Sequence, residues 1–99
     1  MQAKIKYNFL NKIWKHNGTG GWYFVSLPKD ISKEIREHLQ WQEEGWGRMK
    51  AIAQVKGVEW ETAIWFDKKQ NTYLLPLKAD IRKKVNLELD HTIAVTILV

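Results

Sequence analysis

The chain has 99 residues, six tryptophans, no cysteine and a formal net charge of +5. That length accommodates one domain, residues 1–99, and leaves no room for a second. The cysteine count excludes a disulfide scaffold, a cysteine-bound zinc and a thiol nucleophile, and 44% hydrophobic against 27% charged residues fits a folded soluble chain rather than a disordered one.

Lys4–Phe9 alternates, with Ile5, Tyr7 and Phe9 apolar and Lys4, Lys6 and Asn8 polar. Period two predicts a half-buried strand. The parity slips at Leu10, which predicts a bulge or bend near Asn11. His16-Asn17-Gly18-Thr19-Gly20-Gly21 holds positive-φ residues suited to a mobile hairpin connection. A phosphate cradle there would need a Gly-Lys-Ser/Thr continuation and a helix, but the loop feeds a strand. That strand is Trp22–Leu27, and Pro28 ends it.

Pro28 also suits a helix start. The stripe Ile31, Ile35, Leu39 predicts a helix over Lys29–Gln40. Gly45 and Gly47 break the connection that follows. Arg48–Lys56 alternates with Met49, Ala51, Ala53 and Val55 on one face. A tight turn at Lys56-Gly57-Val58 leads to a partner strand carrying Trp60, Thr62, Ile64 and Phe66 on one face. Asp67–Asn71 is a polar turn, and Thr72–Leu75 a short strand. Pro76 is expected to open a second helix with Ile81 and Val85 buried. Asn86 should stop it, because asparagine tolerates the left-handed position after a helix. Thr92–Val99 closes the chain as a strand with Ile93, Val95, Ile97 and Val99 on one face.

The order is β–β–α–β–β–β–α–β, and two segments share a pattern. Leu27-Pro28-Lys29 with Ile31, Lys33 and Ile35 matches Leu75-Pro76-Leu77-Lys78 with Ile81, Lys83 and Val85, with an offset beyond the proline. An internal repeat of this kind suggests two interlocking half-barrels. The fold class expected is therefore mainly β with two short helices, a small double-split β-barrel of the swapped-hairpin kind. The segment Leu75–Leu87 followed by Ile93-Ala94-Val95 resembles the half-barrel element of AbrB/SpoVT-type transition-state regulators. Asn86 replaces their usual glycine, and His91 stands where an acidic turn residue is common. Over nearly its whole length the chain resembles a small bacterial family of unknown function. The matching segments are Gly20–Pro28 (Gly-Gly-Trp-x-Phe-Val-x-Leu-Pro), Gly47-Arg48-Met49-Lys50, and Tyr73–Arg82 with one extra residue before the arginine. Some relatives are fused to a YdeI/OmpD-associated domain. The resemblance implies a double-split barrel and no established activity.

The chemistry-bearing residues are sparse. His16, His38 and His91 never fall at metal-ligand spacing, so no metal and no cofactor are expected. Asp90-His91 could orient an imidazole, but Ser26 and Ser32 are the sole serines and neither is near in sequence. Glu43-Glu44 and the same-face pair Glu59/Glu61 read as solvated carboxylates rather than an acid/base pair. The charge is diffuse: residues 1–49 carry 8 basic and 5 acidic groups, residues 50–99 carry 8 and 6.

The tryptophans are the anomaly. Trp22, Trp60 and Trp46 suit a core, while Trp14, Trp41 and Trp65 are harder to bury in so small a barrel. Trp60 and Trp65 have opposite strand parity, so one faces outward. Exposed aromatics beside cations mark a recognition surface, and the candidates are Trp14, Trp41, Trp46 and Trp65 with Lys12, Lys15, Arg48 and Lys50. The expectation is a non-enzymatic binding or interaction module. The alternative is weak, salt-sensitive nucleic-acid binding, because the chain has three arginines for base edges. The partner is then nucleic acid or another protein, with the chain monomeric or a weak dimer. The N-terminal MQAKIKYNFLNKIWKH lacks an apolar signal core. No run reaches the ~20 apolar residues of a membrane span. A cytoplasmic protein without a membrane partner is expected.

Overall fold

The computed structural model describes residues 4–18 and 21–99, with the Trp46 side chain outside the description. Its strands are β1 (Lys6–Lys15), β2 (Tyr23–Ser26), β3 (Arg48–Val55), β4 (Val58–Asp67), β5 (Thr72–Pro76) and β6 (Thr92–Leu98). The helices are α1 (Lys29–Leu39) and α2 (Ala79–Lys84). The six strands close into an antiparallel barrel in the order β1-β2-β5-β4-β3-β6. Closure pairs the strand edges that an open sheet would leave free.

Period two decides what faces inward. Met49, Ala51, Ala53 and Val55 of β3 are all buried, as are Ile93, Val95 and Ile97 of β6. Ile13, Val25, Ile64 and Leu75 complete the centre of the core with no accessible surface. Each such side chain contributes about 1.5–3 kcal/mol of hydrophobic stabilisation. Trp60 lies on the inner face of β4, half-buried, opposite Ala53. The small alanine makes room for the indole across the strand pair.

β1 is continuous, and the expected bulge near Asn11 is absent. Its register against β6 runs unbroken from Lys6↔Leu98 to Lys12↔Thr92. The inward positions are Tyr7, Phe9, Asn11 and Ile13. The polar Asn11 simply occupies a core-side place, and apolar Leu10 faces solvent, 68% exposed. Asn11 is accommodated because its Nδ2 donates to the Ser26 carbonyl at 2.8 Å, just beyond the last β1–β2 ladder pair, Ile13↔Val25. The β1–β2 connection is a hairpin whose Thr19 and Gly20 lie outside the described residues; the mobility expected for it falls there. His16 N–H donates to the Trp22 carbonyl at its base, 2.9 Å.

The two strand-to-helix passages differ from expectation at the second proline. Pro28 caps α1, and its carbonyl accepts from Ser32 N–H at 2.9 Å. Pro76 does not start α2. It is the last residue of β5, paired with Phe24, and Leu77 N–H continues the ladder to the Tyr23 carbonyl at 2.9 Å. The helix therefore begins at Ala79, after Lys78. α2 ends as expected: Asn86 has φ 52°, and Leu87 N–H donates to the Arg82 carbonyl at 2.9 Å. That six-residue closure satisfies an orphan helix carbonyl.

Candidate functional site

The outward faces of five adjacent strands build one surface. Across β1 and β2, outward Trp14 pairs with Phe24; across β2 and β5, Phe24 pairs with Pro76. Farther along the same wall, Leu74 of β5 pairs with Trp65 of β4, and Trp65 with Arg48 of β3. Because strand partners sit side by side, these side chains form a band around the outside of the barrel. Trp22, just before β2, shares the parity of Phe24 and joins it. The Trp14 and Phe24 ring centroids are 5.2 Å apart, and Trp22 lies nearly parallel to Phe24 at 6.3 Å and 13°. Trp14 Nε1 donates to Ser26 Oγ at 2.9 Å, fixing the ring.

Two grooves follow from this band. One, of about 630 Å³, runs among Trp14, Trp22, Phe24, Trp65, Leu74 and Pro76. The other, of about 640 Å³, shares Trp22, Trp65 and Pro76 and turns towards Lys4, Arg48, Lys50, Glu61 and Lys78. The surface thus passes from aromatic to cationic along its length. Trp22 is 53% exposed and Trp65 38%, so both present ring area to solvent. Arg48 is held in place: it pairs with Glu44 at 2.5 Å, and its guanidinium carbon is 5.9 Å from the Trp65 ring.

Of the sequence candidates, Trp14, Trp65, Arg48 and Lys50 meet on this surface. Trp41 does not; it is 72% exposed beyond the end of α1, its Nε1 donating to the His38 carbonyl at 3.2 Å. The Trp46 side chain lies outside the described residues. Lys12 and Lys15 stand on β1 away from the grooves, with the Lys15 ammonium 5.7 Å from the Tyr23 ring. Trp22 was expected in the core and is instead on the rim, because the chain leaves the β1–β2 hairpin with Tyr23 and Val25, not Trp22, pointing inward. Phe24, Lys4 and Lys78 were missed. The outward parity of Phe24 against buried Val25 was a usable signal for it; nothing local marked the two lysines.

All six strands lie wholly or partly within residues 9–97, the stretch matched by a family profile described as a domain of unknown function. The chain belongs to DUF1905. No functionally curated protein matches it. The assignment of DUF1905 brings no activity with it, so the chemistry has to be read from the residues.

A second polar cluster lies at the barrel end covered by α1. Tyr73, fully buried in β5, donates from its hydroxyl to Glu43 Oε1 at 2.5 Å. Arg36 is 3.8 Å from the same carboxylate oxygen and stacks on Phe66 at 3.7 Å. Burial, and after it the hydrogen bond to Glu43, raises the Tyr73 hydroxyl well above the ordinary tyrosine range. Ser32 Oγ accepts from Tyr73 N–H at 3.0 Å. Glu43 is therefore a largely buried structural tether rather than the solvated carboxylate expected, while its neighbour Glu44 is exposed and pairs with Arg48. His91 sits 3.5 Å from Glu88 at an exposed turn rather than against Asp90. Among the described residues no group of three or more metal-ligating side chains gathers, and no helix is long and apolar enough to cross a membrane.

Proposed function

We propose that this chain is a non-enzymatic binding module whose contact surface is the aromatic band Trp14, Trp22, Phe24 and Trp65 with its cationic extension. The observation that supports it is the register that aligns these rings on the outer wall, where core packing makes no use of the exposed faces. Exposed ring area contributes nothing to folding in water and becomes favourable when a flat ligand covers it. Hydrolysis has less to stand on. Ser26 Oγ is engaged by Trp14 Nε1 and Ser32 Oγ is buried under Tyr73 N–H, so neither serine combines access with a general base.

The alternative of an AbrB-like duplex contact would use Lys12, Lys15, Arg48 and Lys50 together. They are divided between β1 and β3, and Arg48 is matched by Glu44, which favours the aromatic groove instead. The double-split, two-half architecture is part of the same reading. Its support is a fifty-residue correspondence: Leu27 N–H donates to the Tyr73 carbonyl and Leu77 N–H to the Tyr23 carbonyl, around the central pair Val25↔Leu75. Pro28 and Lys78 then occupy equivalent caps, and Ile31 and Ile81 equivalent helix positions.

The test is the response of the indole N–H resonances to a panel of nucleosides, neutral oligosaccharides and proline-rich peptides. Shifts confined to Trp14, Trp22 and Trp65, with Trp41 unmoved, are expected. No shift with any ligand, or a shift at Trp41 alone, overturns the reading.

A further inference from the structure

We infer that the ligand of the groove is single-stranded nucleic acid, with bases stacked on Trp22 and Trp65 and phosphates against Lys4, Lys50 and Lys78. This rests on the binding-module reading above and gives its site a ligand class. Two features of one surface point to it together. The first is the sheet-borne platform: Phe24 and Trp65 project outward from β2 and β4, and Trp22 continues the line of Phe24. Every nucleobase has a π-face, so such a platform holds bases with little regard to sequence.

The second feature is the charge that adjoins the platform. The cationic groove shares Trp22, Trp65 and Pro76 with the aromatic one. Once Arg48 is set against Glu44, Lys4, Lys50 and Lys78 face a single carboxylate, Glu61. All three lysines are exposed. A neutral sugar or a proline-rich peptide would use the rings and leave these ammonium groups without a counterpart. A phosphodiester running from the rings would meet them. Duplex DNA has the phosphates but hides its base faces in the stack, so it could use the lysines and not the tryptophans. The geometry suits an unpaired strand, whose bases and phosphates are both accessible.

The experiment is a fluorescence-anisotropy titration of the intact chain with labelled single strands of about ten nucleotides, oligo-dT and oligo-rU, and with a matched duplex, at about 50 mM salt. Binding of the single strands in preference to the duplex is expected, with quenching of tryptophan emission. Trp65→Ala and Trp22→Ala should each weaken binding roughly five- to 100-fold, and Trp65→Phe should retain most of it. Lys50→Glu and Lys78→Glu should weaken binding and flatten its salt dependence. Three phosphate contacts predict roughly a 20-fold loss between about 50 and about 200 mM salt. A thermal melt of each variant shows that the fold is kept, which the exposure of all four side chains favours.

Equal or tighter duplex binding overturns the inference. So does binding that survives both tryptophan variants and is lost with the lysines, since that is charge without stacking. If the single strands fail to bind while an oligosaccharide or a peptide shifts the groove indoles, the nucleic-acid inference falls and the binding-module reading stands. If every probe is silent, both fall.

Discussion

β5 and β6 belong to the same barrel and have similar apolar content, but they are buried differently. β6 alternates: Ile93, Val95 and Ile97 are buried, while Thr92 and Ala94 are exposed. β5 is buried at all five positions from Thr72 to Pro76. Its inner residues Tyr73 and Leu75 face the core, as Val95 and Ile97 do. Its outer residues Leu74 and Pro76 are covered by the side chains of neighbouring strands, Trp65 and Phe24. The outer wall of the barrel is therefore uneven. Over β6 it is a single layer with Thr92 and Ala94 open to solvent, and over β5 it is a second apolar layer whose top is the candidate site.

The inner positions should not distinguish the two strands. Leu75→Ala and Ile97→Ala should each cost about 2–5 kcal/mol in urea denaturation, since both side chains are fully buried. A much smaller cost for either would break the picture of one continuous core. The outer positions should separate them sharply. Leu74→Ala should cost about 2 kcal/mol, because it removes buried apolar area beneath Trp65. Thr96→Ala, the corresponding outward change on β6, removes only the hydrogen bond from Thr96 Oγ1 to Asn8 Oδ1 and should stay within about 1 kcal/mol. Equal costs would mean that the aromatic layer does not cover β5.

The inner side of β5 also holds a buried hydroxyl tether, Tyr73 to Glu43, and pH probes it. Tyr73→Phe should cost about 1–2 kcal/mol near neutral pH by removing the bond to the Glu43 carboxylate. A tyrosine whose folded pKa is raised keeps its proton more tightly when folded than when unfolded. The stabilisation is then full below about pH 10, the ordinary unfolded value, and is lost as pH rises beyond it. The stability difference between the parent chain and Tyr73→Phe should therefore narrow above that pH, as measured by denaturation at a series of alkaline values. Tyr7, shifted in the same direction by burial and Glu34, is present in both proteins and cancels. The smallest effect is expected at Trp41→Ala, within about 0.5 kcal/mol of the parent and without change in any ligand titration. A loss of binding there would move the recognition surface from the barrel wall to the end of α1.

Most strands could be read from period two. Met49 to Val55 and Ile93 to Val99 each expose their pattern without ambiguity, since one face is core and the other water. Reading failed where a residue's local chemistry contradicted its place. Leu10 is apolar and faces solvent, and Asn11 is polar and faces inward, so the parity looked broken where the strand is continuous. Pro76 read as a helix start, as Pro28 is. In the structure it is the end of β5, because Tyr23 offers its carbonyl to Leu77 and extends the ladder by two residues. That carbonyl is fifty-four positions away in the chain, beyond any local pattern.

The sequence by itself determined the strand and helix order, the inward faces of β3 and β6, the stop at Asn86 and the excess of aromatic area over what a small core holds. These are properties of near neighbours, set by backbone sterics and by the spacing of apolar residues. Only the tertiary structure decided which rings meet. Trp14, Trp22, Phe24 and Trp65 come from three segments, and barrel closure in the order β1-β2-β5-β4 sets them on one wall. The same closure leaves Trp41 alone and brings Lys4, Lys50 and Lys78 to one groove. Strand parity says that a side chain points outward; the order and register of the strands say what stands beside it.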